Sequence, residues 1–496
     1  MKTEQQQQQQ QQQQRIIVLG GGSAGWMTAN LLQLQLGAKG FDITVIESPS
    51  IGIIGVGEGS TPQLKVFFDL LNIDESTWMR ACDATFKQGI AFHSWTDLVH
   101  PEYDHYFHSF PSNYDHVTAK PFLEQIHAMQ AGHSGMPHPN QYFLTAILAK
   151  NSKTPQHTLD NIHTSYGYHF DSVKLGQFLK KHGESQGIHV VETTITSVRH
   201  AQQTIQSIVD EHGHEHIADW FFDCSGFTSK LMRETLHVPF IPFKDNLFND
   251  SAVAIQTPRN NNELPQTKAT ALNCGWAWEI PLSTRVGNGY VYSSQYCTAE
   301  QAESELRTHL KISDSNPARH IKMNVGQLAQ HWVGNTIGVG LSQGFIEPLE
   351  ATALHLVQET VTQFIGAFCA GQYSTQYQNQ FNQVIYDRFE GIRDYIVAHY
   401  VCNQIKTDPT GYWQDCRKNI LLSDNLKSVL SCWKEGGDLH SVLTQKNMQH
   451  YYPTLSWYIL LAGYRQFPHQ QYKLNAQSES VSQQLHEKSQ WFETFI

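Results

Sequence analysis

The stretch "RIIVLGGGSAGWMTANLLQLQ" (15–35) constrains the fold more than any other part of this chain. Four apolar residues, Ile16 to Leu19, have the continuity of a buried strand. Gly20-x-Gly22-x-x-Gly25 then turns into a helix bearing Met27, Leu31 and Leu32, and "FDITVIES" (41–48) reads as a second strand containing Glu47. This is a βαβ unit with an acid about 20 residues past the glycines, the pattern that dinucleotide binding requires. Gly20 allows the tight turn, Gly22 lets the backbone approach a pyrophosphate, and Gly25 lets helix pack on strand. Ser23 and Ala24 open the helix, whose first amides face the phosphates, and Glu47 can accept from a ribose hydroxyl. These residues leave the choice between FAD and NAD open.

The 496 residues carry 40% hydrophobic and only 16% charged side chains, enough for a sizeable core. With 34 basic against 45 acidic residues, a net charge of −11 and no basic run, nucleic acid is not expected as a partner. The eight cysteines are scattered without a Cys-x-x-Cys pair, so neither a disulfide framework nor a zinc centre is signalled, and no metal site is expected. No apolar run approaches the ~20 residues of a membrane span, and the N-terminus offers glutamines rather than a signal segment. Together these point to a soluble cytoplasmic protein with no membrane partner.

Residues 1–14, with their glutamine run, are expected to form a disordered tail. The body divides into a core over 15–350, with inserted substrate-side segments, and a mainly helical part over 351–496. "HFDSVKLGQFLKKHGESQGIHVVETTITSVRH" reads as helix then strand, and "QTIQSIVDEHGHEHIADWFFDCSGF" as two strands around a His-Gly turn. His212, His214 and His216 in that turn read as a polar hairpin tip rather than metal ligands. From Glu350 onward, Leu349, Ala353, Leu356, Val357, Val361, Phe364 and Phe368 recur at helical spacing.

Several segments stand out chemically. "IGIIGVGEGSTPQL" (51–64) is a Gly-rich loop after the ribose-binding strand, with Glu58 and Gly59 near its end. "TFKQGIAFHSW" (85–95) sets Lys87 among apolar and aromatic neighbours. "GWAWEIPL" (275–282) puts Trp276 and Trp278 on one face of a strand. "SQGFIEPLEATALHLVQ" (342–358) sets two carboxylates around a proline where a helix begins.

With these residues in view, the chain resembles the flavin-dependent tryptophan-type halogenases. The match rests on GGGSAGWMTA, GVGEGSTP, FKQG, Trp276-x-Trp278-x-Ile280-Pro281 and GFIEPLEAT, with support from YHFDSVKLGQFL, DWFFDCSGF and YDRFEGIRDYIVAHY. The resemblance implies an α/β fold: a Rossmann-like FAD-binding core of the flavin monooxygenase type with an interlocked, mostly helical C-terminal substrate part. It implies FAD, used as FADH2 and supplied by a separate flavin reductase, with a halide ion. Hypohalous acid made from O2 and chloride or bromide at a flavin hydroperoxide would pass to Lys87, acting either as an ammonium that donates to it or as an amine that forms a haloamine, and halogenate an indole-like aromatic. Glu350 would stabilise the cationic ring and help remove its proton. The amides of Thr352 and Ala353 would hold the halide, and Leu341 and Leu354 would flank the flavin. Trp276 and Trp278 would keep substrate from the flavin, and His108, Phe110 and Trp457 would shape the substrate pocket. Glu347 reads as structural.

Two departures from the family pattern matter. Ala351 stands where a serine often follows the catalytic glutamate, and "HYYPTLSWYILLAGY" supplies Tyr451, Tyr452 and Trp457 without a glutamate between them. A substrate ammonium buried there would lack its carboxylate, which argues against free tryptophan and leaves indole, a substituted indole, a phenol-like metabolite or a tethered substrate open. The alternatives are an aromatic hydroxylase and a non-catalytic flavin-binding homologue. A homodimer is expected on frequency alone.

Overall fold

The computed structural model describes residues 14–50, 57–97, 103–133, 137–158, 162–259, 262–313 and 315–467. The glutamine tract and the start of the Gly-rich loop lie outside the described residues, although Gln14, assigned above to the tail, already pairs with Phe41 in the first sheet. Backbone pairing does not require an apolar side chain there.

The strand Gln14–Leu19 sits inside a six-stranded sheet, with Ile16 to Leu19 all buried. It pairs in parallel with Phe41–Glu47 on one side and Trp220–Asp223 on the other. His189–Glu192 and Thr336–Gly338 extend the sheet in parallel, and Trp332–Val333 closes one edge antiparallel. A central parallel strand is covered on both faces, which is why its apolar run does not alternate. The turn into the helix Ser23–Leu36 needs its glycines: Gly20 has φ +123°, and a Cβ on Gly25 would lie 1.8 Å from the Gly20 carbonyl oxygen. The fold is α/β with parallel pairing around this unit, as expected.

A second sheet of seven strands runs in the order Ala318–Lys322, Ser251–Pro258, Arg285–Tyr292, Gly275–Pro281, Thr267–Leu272, Gly89–His93 and His105–Ser109. All its pairs are antiparallel except Thr267–Leu272 with Gly89–His93. Just before it, Thr85–Lys87 belongs to a small sheet with Glu58–Gly59 and Gly167–Phe170, so Lys87 marks the point where the chain changes sheets.

Beyond residue 350 the described chain is helical, chiefly Ala353–Ala370, Gln378–Val401, Asp424–Lys434 and Thr454–Gly463. These helices share the core of the first sheet: Phe364 packs on Phe222 at 5.1 Å and Phe368 on Trp220 at 4.7 Å. Among the described residues no helix is long and apolar enough to cross a membrane.

Three local expectations are corrected. The segment after the helix Ser172–Ser185 forms two strands, His189–Glu192 and Ile195–Ala201, rather than one. The His-rich segment forms three strands, because the chain leaves the Thr204–Asp210/Glu215–Ile217 pair and joins the six-stranded sheet at Trp220. The C-terminal helical part begins at Ala353 rather than Glu350: Pro348–Glu350 is a single 3-10 turn, and Ala351 adopts φ +56°, a left-handed conformation that a helix cannot continue through. The hairpin tip itself is polar: Asp210 Oδ1 accepts from the amides of His212 and His214, and Asp210 Oδ2 lies 3.0 Å from His216 Nε2.

Candidate active site

A cavity of about 910 Å³ opens beside the Gly-rich turn and runs to Lys87. Gly20, Gly22, Ser23, Ala24, Glu47, Glu58, Gly59, Leu341 and Leu354 line it, as do Ala353, Trp276 and Trp278. Gly25 lies behind the wall, packed on Gly20. The first-turn amides of the Ser23–Leu36 helix face no side-chain cap, which suits an anion. Glu47 is engaged by Lys180 Nζ at 2.5 Å and Trp26 Nε1 at 3.2 Å, so its carboxylate is held at the end of its strand. Burial, the leading cause, pushes the Glu58 carboxyl up to about 7, with Ser172 pulling against it. A dinucleotide fits this long, mostly apolar cavity with anion-binding amides at one end.

At the other end stands Lys87. Its Nζ is buried without a hydrogen-bond partner among the described residues, 5.4 Å from the centroid of the Phe110 ring. Burial lowers its pKa to about 8, against the upward pull of Glu350. Gly59 leaves room for it, since a Cβ there would lie 3.3 Å from Nζ.

The 3-10 turn of Pro348–Glu350 directs Glu350 inward, where it is 4% exposed. Its Oε1 lies 2.9 Å from His399 Nε2 and 3.8 Å from His108 Nδ1, distances of an ion pair without the alignment of a hydrogen bond. Burial favours the protonated carboxyl, but His108, His399 and Lys87 outweigh it and hold Glu350 below the usual carboxylate range. His108, on the edge strand His105–Ser109, is pushed down chiefly by burial. Its Nδ1 is 3.4 Å from the Tyr395 hydroxyl. Tyr395 in turn stacks on Tyr452 at 3.6 Å and meets Trp457 edge-on at 4.8 Å. Among the described residues the Tyr452 hydroxyl and Trp457 Nε1 are buried without hydrogen-bond partners.

Trp276 and Trp278 share a face of Gly275–Pro281, 6.3 Å apart. Glu347 accepts on one oxygen from Trp276 Nε1 (3.1 Å), Asn249 (2.9 Å) and Tyr400 (2.6 Å). The amides of Thr352 and Ala353 donate to no acceptor among the described residues, and the Thr352 hydroxyl is likewise buried and unpartnered.

The fold therefore gathers the sequence candidates into two neighbouring groups: the glycine-turn set along the cavity, and Glu350, His108 and Trp457 beside its Lys87 end. Sequence reasoning missed His399 and Tyr395, one helical turn apart on Gln378–Val401 and facing Glu350. The available signal was a polar and an aromatic residue at i, i+4 on the buried face of "GIRDYIVAHY".

Comparison with known proteins bears on this geometry. The family model described as tryptophan halogenase matches residues 15–480. The chain is 33% identical over 466 residues to the 7-chloro-L-tryptophan 6-halogenase KtzR of Kutzneria sp. (strain 744), covering 89% of this chain and 88% of that protein. It is 31% identical over 467 residues to the tryptophan 7-halogenase RebH of Lentzea aerocolonigenes, covering 89% and 87%. Among solved structures, a flavin-dependent halogenase from Xanthomonas campestris superposes with TM-score 0.83 at 32% identity, covering 97% of this chain and 95% of that one. The chain belongs to the tryptophan halogenase family of flavin-dependent enzymes.

Proposed function

We propose that this enzyme uses reduced FAD, O2 and chloride or bromide to halogenate an indole-like ring that lacks the amino-acid group. The glycine turn and the long cavity would hold FAD, reduced by a separate flavin reductase, and the reduced flavin would supply two electrons to O2, the oxidant that turns halide into hypohalous acid. The observation that carries the reading is Lys87 Nζ, buried, unpartnered and at the junction of the cavity with Glu350.

The free amides of Thr352 and Ala353, at the start of an 18-residue helix, favour an anion and support the halide seat. Trp276, tethered by Glu347, and Trp278 stand as bulk between flavin and substrate. Phe110 and His108 bound the reacting ring, with Trp457 beyond Tyr395.

Lys87 acts as an ammonium that donates to the hydroxyl oxygen of hypohalous acid. As the ring carbon bonds the halogen, the halogen–oxygen bond breaks and the departing hydroxide leaves as water with the Lys87 proton. Glu350, held ionised, stabilises the ring cation and takes the ring proton. Proton exchange then restores both groups.

KtzR and RebH are named for action on 7-chloro-L-tryptophan and tryptophan. Here no acid lies between Tyr452 and Trp457 to meet a substrate ammonium, and the aromatic stack around Tyr395 suits a neutral ring.

The test is mass spectrometry of products from indole and from tryptophan, with FAD, NADH, a generic flavin reductase and either halide, beside Lys87→Ala. The expected result is a halogen isotope doublet from indole, reduced about 10²–10⁴-fold in the variant. A gain of oxygen independent of halide would replace this reading with hydroxylation, and comparable turnover of tryptophan would overturn the substrate assignment.

A further inference from the structure

His93 and His105 face each other across the last two strands of the seven-stranded sheet, with their rings stacked at 4.4 Å and 23°. The Asp104 carboxylate lies 2.7 Å from His105 Nδ1 and 3.9 Å from His93 Nδ1. One ligand atom from each residue fits within a span of 4.8 Å. None of the three takes part in the chemistry proposed above. We propose that His93, Asp104 and His105 form a binding site for a divalent first-row transition ion, zinc foremost, on the edge of the seven-stranded sheet.

The donor set sets the class of ion. Two imidazoles and one carboxylate suit zinc, nickel or copper, whereas magnesium and calcium want oxygen ligands in greater number. Tetrahedral zinc, with bonds of about 2.0–2.1 Å, places its ligand atoms roughly 3.3 Å apart. The Asp104–His105 pair is already inside that spacing, and the proton on that line is what an ion would replace. The His93–Asp104 pair must close by roughly half an ångström to reach it. Asp104 can make that movement because its side chain is 84% exposed, while the two imidazoles, 19% and 23% exposed, are held by their strands. Three protein ligands leave a fourth position for water.

Lys268, on the strand beside Gly89–His93, is a nearby positive charge that opposes a cation at the site. The site therefore takes the ion through neutral imidazoles and the single charge of Asp104, which points to modest affinity. Its consequence is mechanical. An ion there would tie together the ends of Gly89–His93 and His105–Ser109, and the second of these strands carries His108 three residues further on.

Isothermal titration of the untagged, chelator-treated full chain with zinc chloride tests this, beside Asp104→Ala, His105→Gln and, as a control at the other histidine cluster, His214→Gln. The expected result is one zinc bound per wild-type chain, a rise in Tm with zinc but not with magnesium, and affinity at least about tenfold weaker in the Asp104 and His105 variants. His214→Gln should bind as wild type does. Circular dichroism and metal-free halogenation unchanged in Asp104→Ala would show that the loss is of a ligand rather than of the fold. No zinc binding by the wild-type chain, or equal binding by all variants, would overturn the site.

Discussion

Lys87 is the residue whose environment says most about its task. An unfolded lysine titrates near 10.5 and this one near 8, so between those values the folded state binds fewer protons than the unfolded state. The penalty of burying the ammonium is full below about 8 and disappears as pH rises toward 10.5. Lys87→Met should therefore melt at higher urea than wild type at pH 7, with the gap closing as the pH is raised. Catalysis should move the other way: with the ammonium as donor, single-turnover halogenation should fall as pH rises through about 8, and a rising limb there would favour a haloamine instead. Glu350→Gln retains shape without a base, and a loss of about 10²–10⁴ in turnover is expected with flavin affinity unchanged, read by single-turnover kinetics and flavin titration. Lys87 and Glu350 were singled out by the quoted motifs. His399 was not, because a buried histidine on an apolar helix looks the same in sequence whether or not a carboxylate lies opposite.

Glycines control how the elements meet. Gly25→Ala would drive a Cβ to 1.8 Å from the Gly20 carbonyl oxygen, separating the first helix from its strand where the flavin phosphates are expected. Flavin affinity should fall sharply, as measured by fluorescence titration, while the far-UV dichroism stays near wild type. Gly289 does the same service for the tryptophan strand, since a Cβ there would lie 2.0 Å from the Trp278 ring. The βαβ unit was readable because every signal for it is local: an apolar run, three spaced glycines and an acid. The exact start of the Ala353–Ala370 helix was not readable. The periodic apolar residues continue back to Leu349, and only the left-handed turn at Ala351 separates the 3-10 turn that aims Glu350 from the helix whose amides lie free.

The two parts of the molecule share one interior. Phe364 and Phe368 of the C-terminal part fill the space over Trp220 and Phe222 of the first sheet, and Phe368 also meets Phe41 at 5.7 Å. A chain ending at residue 352 should then lose cooperative unfolding in a calorimetric melt, because it exposes that aromatic face. Local order along the chain was enough to specify the dinucleotide turn, the tryptophan pair and the Pro-flanked acids, since each is written in a few adjacent residues. It could not bring Lys87, Glu350, His108 and His399 to one place, nor His93 and His105 into a stacked pair. Those meetings join four segments separated by up to about three hundred residues, and they depend on strand register and helix packing that no local pattern encodes.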